Sequence, residues 1–259
     1  MLELNKIYNV NCLEGMKQID DESIDMIFCD LPYGVTARNY WDSIIPPEPL
    51  WAEYERIIKS NGAILLFGQD KFTAKIMLSN ERIHRYNIIW KKTTPTGFLN
   101  AKRMPMRSHE DIMVFYKQLP TYNPQKTNGH TPVHSYTKHT TDGLNYGDTK
   151  LGISGGGSTE RYPTSIWEFA TDKQKTALHP TQKPLALCRY AIRTYTNEGD
   201  IVLDNCCGSG TIPLAAKLEH RNYIGMDNGI CEKAGSKYDG WFWANVARDR
   251  VESEVKNEL

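Results

Sequence analysis

Residues 201–218 read IVLDNCCGSGTIPLAAKL, and the order of residue types in this stretch decides the fold. Residues 201–203 are a short apolar run of the kind buried in a parallel strand. Asp204 ends it, Gly208 and Gly210 make a tight turn, and Thr211 opens a helix running to Leu218 whose N-terminus faces that turn. Strand, glycine turn and helix together bring backbone amides up to a nucleotide-like ligand. Downstream, RNYIGMD reads as a second strand closed by Asp227, 19 residues after Gly208. An acid at that spacing is placed to bind ribose hydroxyls. The turn lacks the third glycine of a dinucleotide site and the lysine of a phosphate-binding loop. Its ligand should therefore carry adenosine without needing phosphate.

Working back along the chain, HPTQKP occupies residues 179–184, followed by a helix from Leu185 to about Tyr195. Near the start of the chain, residues 24–34 read IDMIFCDLPYG. The apolar run 24–29 is a buried strand, so Asp30 sits where strand gives way to loop, the usual place for chemistry in an open α/β sheet. Pro32 restricts Leu31 and fixes the direction of the nearby carbonyls. Tyr33 offers a flat face, and Gly34 permits close approach. Carboxylate, rigid carbonyl and ring make a socket for a planar base bearing an amino group. Taken alone, the same stretch reads equally as a capped turn leaving a sheet.

The intervening sequence alternates short apolar runs with helical patterns. Strands are expected at 7–10, 63–67, 86–90, 112–116 and 165–169, and helices from Leu13, over 49–59 (stopped by Asn61-Gly62) and over 72–78. Such alternation with short connections predicts a mostly parallel sheet covered on both faces. Residues 35–48 and 91–111 read as loops, the second polar with five basic residues. From about 118 to 161 the composition turns to Thr, Asn, Gly, His, Tyr and Pro without apolar periodicity, which marks a functional insertion or a surface loop. His130, His134 and His139 lie there without nearby Cys or paired acids, so no metal is expected.

Lys plus Arg and Asp plus Glu each number 31, a net charge of zero. The distribution is uneven. Residues 81–117 carry 8 basic against 3 acidic side chains and residues 171–193 carry 5 against 1, whereas the flanking regions are acidic. Basic segments beside candidate site residues suggest a phosphate-facing surface, with Lys91, Lys92, Lys102, Arg103 and Arg107 as the candidates for phosphate contact. The six cysteines form neither a disulfide-like framework nor a CxxC pair, and no signal-peptide pattern or membrane-length apolar run is present. A cytoplasmic chain with reduced thiols is expected.

DLPYG at 30–34, HPTQKP at 179–184 and GSGT at 208–211 together resemble the beta class of exocyclic-amino DNA methyltransferases that use S-adenosyl-L-methionine. The resemblance implies an α/β Rossmann-like methyltransferase fold with circularly permuted motif order. Residues 1–117 would be the catalytic half, 118–160 an inserted target-recognition region, and 161–259 the cofactor-binding half. It implies transfer to the N6 amine of a flipped adenine in double-stranded DNA. Asp30 and the Leu31 carbonyl would hold the amine, with Pro32 between them and Tyr33 stacking on the base. Asn11, Asp204, Gly208, Gly210, Thr211 and Asp227 would bind the cofactor, with Thr181, Lys183 and Pro184 at its methionine end. Alternatives are a cytosine-N4 enzyme, a catalytically silent DNA-binding subunit, or a methyltransferase for RNA or protein glutamine. A homodimer and a cognate restriction endonuclease are partners the resemblance leaves open. Leu31 replaces a more usual proline, Cys206 an aromatic, and Asn11 a frequent Asp.

Overall fold

A computed structural model of the chain describes residues 2–34, 44–137, 152–172, 178, 182–232 and 236–258. Two compact units are present, one formed by 1–123 with 165–259 and the other by 124–164. The second unit starts later than the expected insertion and contains a short pair, Tyr136–Thr137 (β6) with Ser154–Gly155 (β7).

The larger unit is built on eight strands: Lys6–Tyr8 (β1), Ile24–Cys29 (β2), Ile58–Gly68 (β3), His84–Thr96 (β4), Arg107–Phe115 (β5), Ile166–Phe169 (β8), Ile201–Asp204 (β9) and Asn222–Met226 (β10). Their spatial order is β1-β10-β9-β2-β3-β5-β4-β8, and β5 alone among them runs antiparallel to its neighbours. Side chains alternate between the two faces, as period-two strands require. Met26, Phe28, Ala63, Leu65, Phe67, Ile112 and Val114 enter one core; Ile27, Cys29, Ile64, Leu66, Met113 and Phe115 enter the other. Helices Cys12–Met16 (α1), Pro47–Ile57 (α2) and Asp70–Ser79 (α3) pack on the second core, while Leu185–Tyr195 (α4), Thr211–Leu218 (α5) and Trp243–Glu258 (α6) pack on the first. Each fully buried Phe or Leu contributes about 2 kcal/mol. Among the described residues no helix is long and apolar enough to cross a membrane.

Two local expectations are overturned. Asn61-Gly62 does not end a helix; it lies inside β3, where the register against β2 shifts between Ile24 and Met26. A Cβ on Gly62 would lie 2.8 Å from the Asp25 carbonyl oxygen, so only glycine fits this bulge. Residues 91–111 are likewise no loop. β4 and β5 continue past the last residues paired to β3 (Gly68 with Asp111) and β8 (Lys92 with Phe169), forming a bulged two-stranded arm. Gly97, at φ 90°, and one turn of 3-10 helix over Phe98–Asn100 close it.

Candidate active site

β9 and β2 are adjacent and parallel, yet β9 connects through α5 to β10 on one side, and β2 through α2 to β3 on the other. Connections that diverge from neighbouring strands open a crevice at their carboxyl ends, where ligands of α/β sheets bind. Asp30 follows β2 and the 204–211 turn follows β9, so the permuted motifs meet at one place.

On the β9 side the turn is held by backbone amides and neighbouring helices. Asp227 Oδ2 accepts from the Gly208 amide at 2.8 Å, and Oδ1 from the Gly229 amide at 2.8 Å. Burial pushes the Asp227 carboxyl up, and these two amides pull against it. Asp204 is buried, with Oδ1 3.2 Å from the Cys206 amide; burial raises its carboxyl well above the ordinary range and that amide opposes the shift. Tyr54 of α2 donates to Asn205 Oδ1 at 2.6 Å. From α6 the buried Arg250 donates to the Ser209 carbonyl at 3.2 Å and to Thr211 Oγ1 at 2.8 Å.

The two glycines of the turn differ. Both have positive φ, 47° at Gly208 and 77° at Gly210. A Cβ on Gly208 would meet nothing within 4 Å, whereas one on Gly210 would lie 2.8 Å from Ala247 Cβ. Gly208 thus faces open space, and Gly210 is small because α6 passes behind it. Gln182 Oε1 accepts from Leu178 N at 3.1 Å and from Ser209 Oγ at 3.2 Å, while its buried Nε2 has no hydrogen-bond partner among the described residues. An open glycine cradle, a strand-end carboxylate and an orphaned buried amide fit a nucleoside cofactor with polar extensions.

On the β2 side a chain of alternating charges surrounds Asp30. Its Oδ1 accepts from the Tyr33 hydroxyl at 2.9 Å and its Oδ2 from Lys183 Nζ at 2.6 Å. Nζ also lies 3.3 Å from Glu110 Oε2, without hydrogen-bond alignment, and Glu110 Oε1 is 2.6 Å from Lys92 Nζ. The Lys183, Lys92 and Glu110 side chains are 8%, 7% and 13% exposed, against 23% for Asp30. Phe67 and Trp90 lie beneath the ammonium groups, with ring centroids 4.8 Å from Lys183 Nζ and 5.1 Å from Lys92 Nζ. Burial pulls Lys183 down, but Asp30 and Glu110 outweigh it and hold the ammonium above its ordinary value. Burial pushes Glu110 up, and Lys183 with Lys92 more than reverses this, leaving it below the ordinary range. For Asp30 burial prevails over Lys183 and the carboxyl is raised.

The remaining expected residues divide. Leu31 is buried and Pro32 half-buried beside Asp30. Tyr33 stacks on Phe72 of α3, centroids 4.6 Å apart, so one of its ring faces is already covered. Asn11 caps α1, its Oδ1 accepting from the Leu13 amide at 3.0 Å. Pro184 precedes α4 as its N-cap. Thr181, His139 and residues 35–43 lie outside the described residues. Of the DNA-contact candidates, Lys92 is corrected: it is buried against Glu110 and cannot face phosphate. Lys91 is exposed and pairs with Glu168 at 2.8 Å. Lys102 and Arg103 are exposed at the arm's end, and Arg107 lies 4.0 Å from Asp70. Burial holds the Cys207 thiol up and pushes Cys29 to about 12, so neither is a ready nucleophile.

Sequence reasoning misses Glu110, and it reads Lys92 as a phosphate contact rather than as its buried partner, although the signal is present. Ile88, Trp90 and Lys92 share one strand face by period two, as do Glu110, Ile112 and Val114. A charge at the end of a core-facing alternation is a reason to look for its partner.

Residues 24–234 match the family model for N6 and N4 methyltransferases, described as DNA methylase. The chain is 28% identical to the Type II methyltransferase M1.MboII of Moraxella bovis over 88% of its length and 93% of that protein. It is 30% identical to M2.MboI of the same organism, covering 85% and 82%, and 26% identical to the DNA adenine methyltransferase YhdJ of Escherichia coli K12, covering 87% and 79%. Among solved structures, the M1.HpyAVI–SAM complex superposes with a TM-score of 0.62 at 23% identity, covering 95% of this chain and 98% of that one. The cytosine-N4-specific PvuII DNA methyltransferase does so with 0.61 at 13% identity, covering 86% and 81%.

Proposed function

The chain belongs to the DNA methylase family of N6 and N4 methyltransferases, and on that premise we propose that it methylates the exocyclic N6 amine of a flipped adenine in double-stranded DNA. The observation that carries this reading is the ionisable carboxylate of Asp30 at the end of β2, across the β9–β2 crevice from the glycine turn. The cofactor is S-adenosyl-L-methionine, held by the 204–211 turn and Asp227, with Gln182 supplying its orphaned amide. When bound, it supplies a methyl group on a sulfonium sulfur.

The rest falls to the chain's own groups. An aromatic amine is a poor nucleophile because its lone pair is delocalised into the ring. Asp30 and the Leu31 carbonyl accept its two N–H bonds, which lets the nitrogen rehybridise and aims the lone pair at the methyl. Transfer of the methyl group to the nitrogen would leave one proton to be shed, and Asp30 is placed to take it or pass it to solvent. Alignment and electrostatic stabilisation supply the rate, with no covalent enzyme intermediate. A base inside a duplex cannot reach this crevice, so the target nucleotide is extruded, and Tyr33 is the aromatic side chain beside Asp30 on which it stacks. Lys102, Arg103 and Arg107 face phosphates, and the 124–164 unit reads the sequence around the target.

Adenine is preferred over cytosine because a carboxylate is a stronger acceptor than a hydroxyl, suited to holding an amine whose conjugation is being broken. The test is to methylate unmodified DNA with the purified protein and digest it to nucleosides. N6-methyladenine is the expected product; N4-methylcytosine without it would favour the cytosine reading.

A further inference from the structure

Both oxygens of Asp30 are engaged, Oδ1 by the Tyr33 hydroxyl and Oδ2 by Lys183 Nζ. This arrangement works against methyl transfer to an amine. The accepting nitrogen gains positive charge as its new bond forms, and an ammonium 2.6 Å from Oδ2 repels that charge and occupies the acceptor. Lys183 has a second place to go. Glu110 Oε2 lies 3.3 Å from Nζ, buried and without a hydrogen bond, while Oε1 is fixed at 2.6 Å by Lys92. The ion pair of Nζ with Glu110 is longer and less well aligned than the one Nζ makes with Asp30 at 2.6 Å. Closing 3.3 Å to a charge-assisted hydrogen bond needs a shift of only about 0.5 Å.

We infer that Glu110 is a positioning residue that takes up the Lys183 ammonium when the target amine occupies Asp30, with Lys92 holding Glu110 in place. Asp30, Glu110, Lys183 and Lys92 sum to zero charge, so the transfer of the ammonium from one carboxylate to the other keeps the buried cluster neutral. The inference rests on the methyltransferase reading, since it requires an amine at Asp30. The charged and titratable groups facing Asp30 are Lys183, Glu110 and Tyr33, with Asp204 and Cys29 deeper on β9 and β2; those facing Glu110 are Lys183 and Lys92.

The test is the pH profile of single-turnover methyl transfer in Glu110→Gln, which keeps the volume and removes the charge. Lys183 then stays on Asp30 and one neighbouring negative charge is gone. The acid limb should move about one pH unit lower, the plateau rate should fall roughly tenfold or more, and cofactor affinity should hold. Glu110→Asp, which keeps the charge, should return the acid limb to its wild-type position. An acid limb in Glu110→Gln that stays put or rises would overturn the inference. A carbon-13 carboxyl titration of Asp30 in the ligand-free proteins reads the same downward shift without turnover. An unmoved titration refutes the role of Glu110, whereas a wild-type protein that transfers no methyl group to DNA refutes the reading beneath it.

Discussion

At the glycine turn the groups lining the crevice are held largely through backbone amides, Asp227 accepting from those of Gly208 and Gly229, with Tyr54 of α2 and Arg250 of α6 bracing the turn. At Asp30 they are held by side-chain charges brought from β4, β5 and the segment before α4, with Lys183 153 positions away. Amides fixed in a turn present the same dipoles whatever the pH. A buried chain of ammonium and carboxylate groups is sensitive to every proton and to the loss of any one partner. One end of the crevice is thus set by chain conformation, and the other by charge balance.

The sharpest way to break this contrast is at the two glycines. Gly210→Val places a side chain at φ 77° with its Cβ 2.8 Å from Ala247 Cβ, and should destabilise the protein by roughly 2–5 kcal/mol and abolish cofactor binding. Gly208→Ala meets no neighbour and should cost only the left-handed strain, about 1–2 kcal/mol. Denaturant unfolding of the pair measures the gap; equal costs would mean that α6 does not set the turn.

Lys183→Met attacks the other end. It leaves Asp30 and Glu110 facing one another without the ammonium between them, and should cost about 3 kcal/mol at neutral pH. In the wild type, Lys183 is held above its ordinary value, so its contribution is complete below the unfolded pKa near 10.5 and is lost only as pH rises through the folded one. In the variant both carboxyl pKa values rise, so the folded state binds protons that the unfolded state does not. The stability deficit should shrink from pH 7 to pH 5, which thermal melts at the two pH values would show. The same deficit at both would mean the cluster acts through packing alone.

A smaller effect separates the arm's exposed charges from its buried one. Replacing Lys102 and Arg103 with alanine should weaken DNA binding across sequences and flatten its salt dependence by about two counterions. An unchanged slope would mark both as a solvated face. The smallest effect is at Asn11. Loss of its cap on α1 through Asn11→Ala should cost about 1 kcal/mol and leave cofactor affinity alone. A drop in affinity at constant stability would return Asn11 to the cofactor site.

The same contrast explains what could be read from the sequence. The 201–218 stretch announces strand, turn and helix because its apolar run, paired glycines and helical pattern are local features, and both Thr211–Leu218 and Leu185–Tyr195 fold with the bounds their patterns suggest. Asp30 was legible because a strand end is a local feature. Glu110 was not, nor was the buried role of Lys92, since both depend on pairing across β4 and β5 and on a lysine far along the chain. The arm was hidden because Pro95 and polar residues mask a ladder that continues beyond the sheet, and Asn61-Gly62 because a bulge uses the same residues as a turn. Charge composition misplaced Lys92, since a count of basic residues does not distinguish a buried lysine from a phosphate-facing one.

The division of labour between the two ends is tested most directly by Asp30→Ala, with cofactor binding by calorimetry and methyl transfer to DNA measured on one preparation. The account predicts a folded protein that binds S-adenosyl-L-methionine with wild-type affinity and has lost methyl transfer by roughly 1,000-fold or more. A folded Asp30→Ala protein that no longer binds the cofactor, or one that still methylates DNA at the wild-type rate, would contradict it.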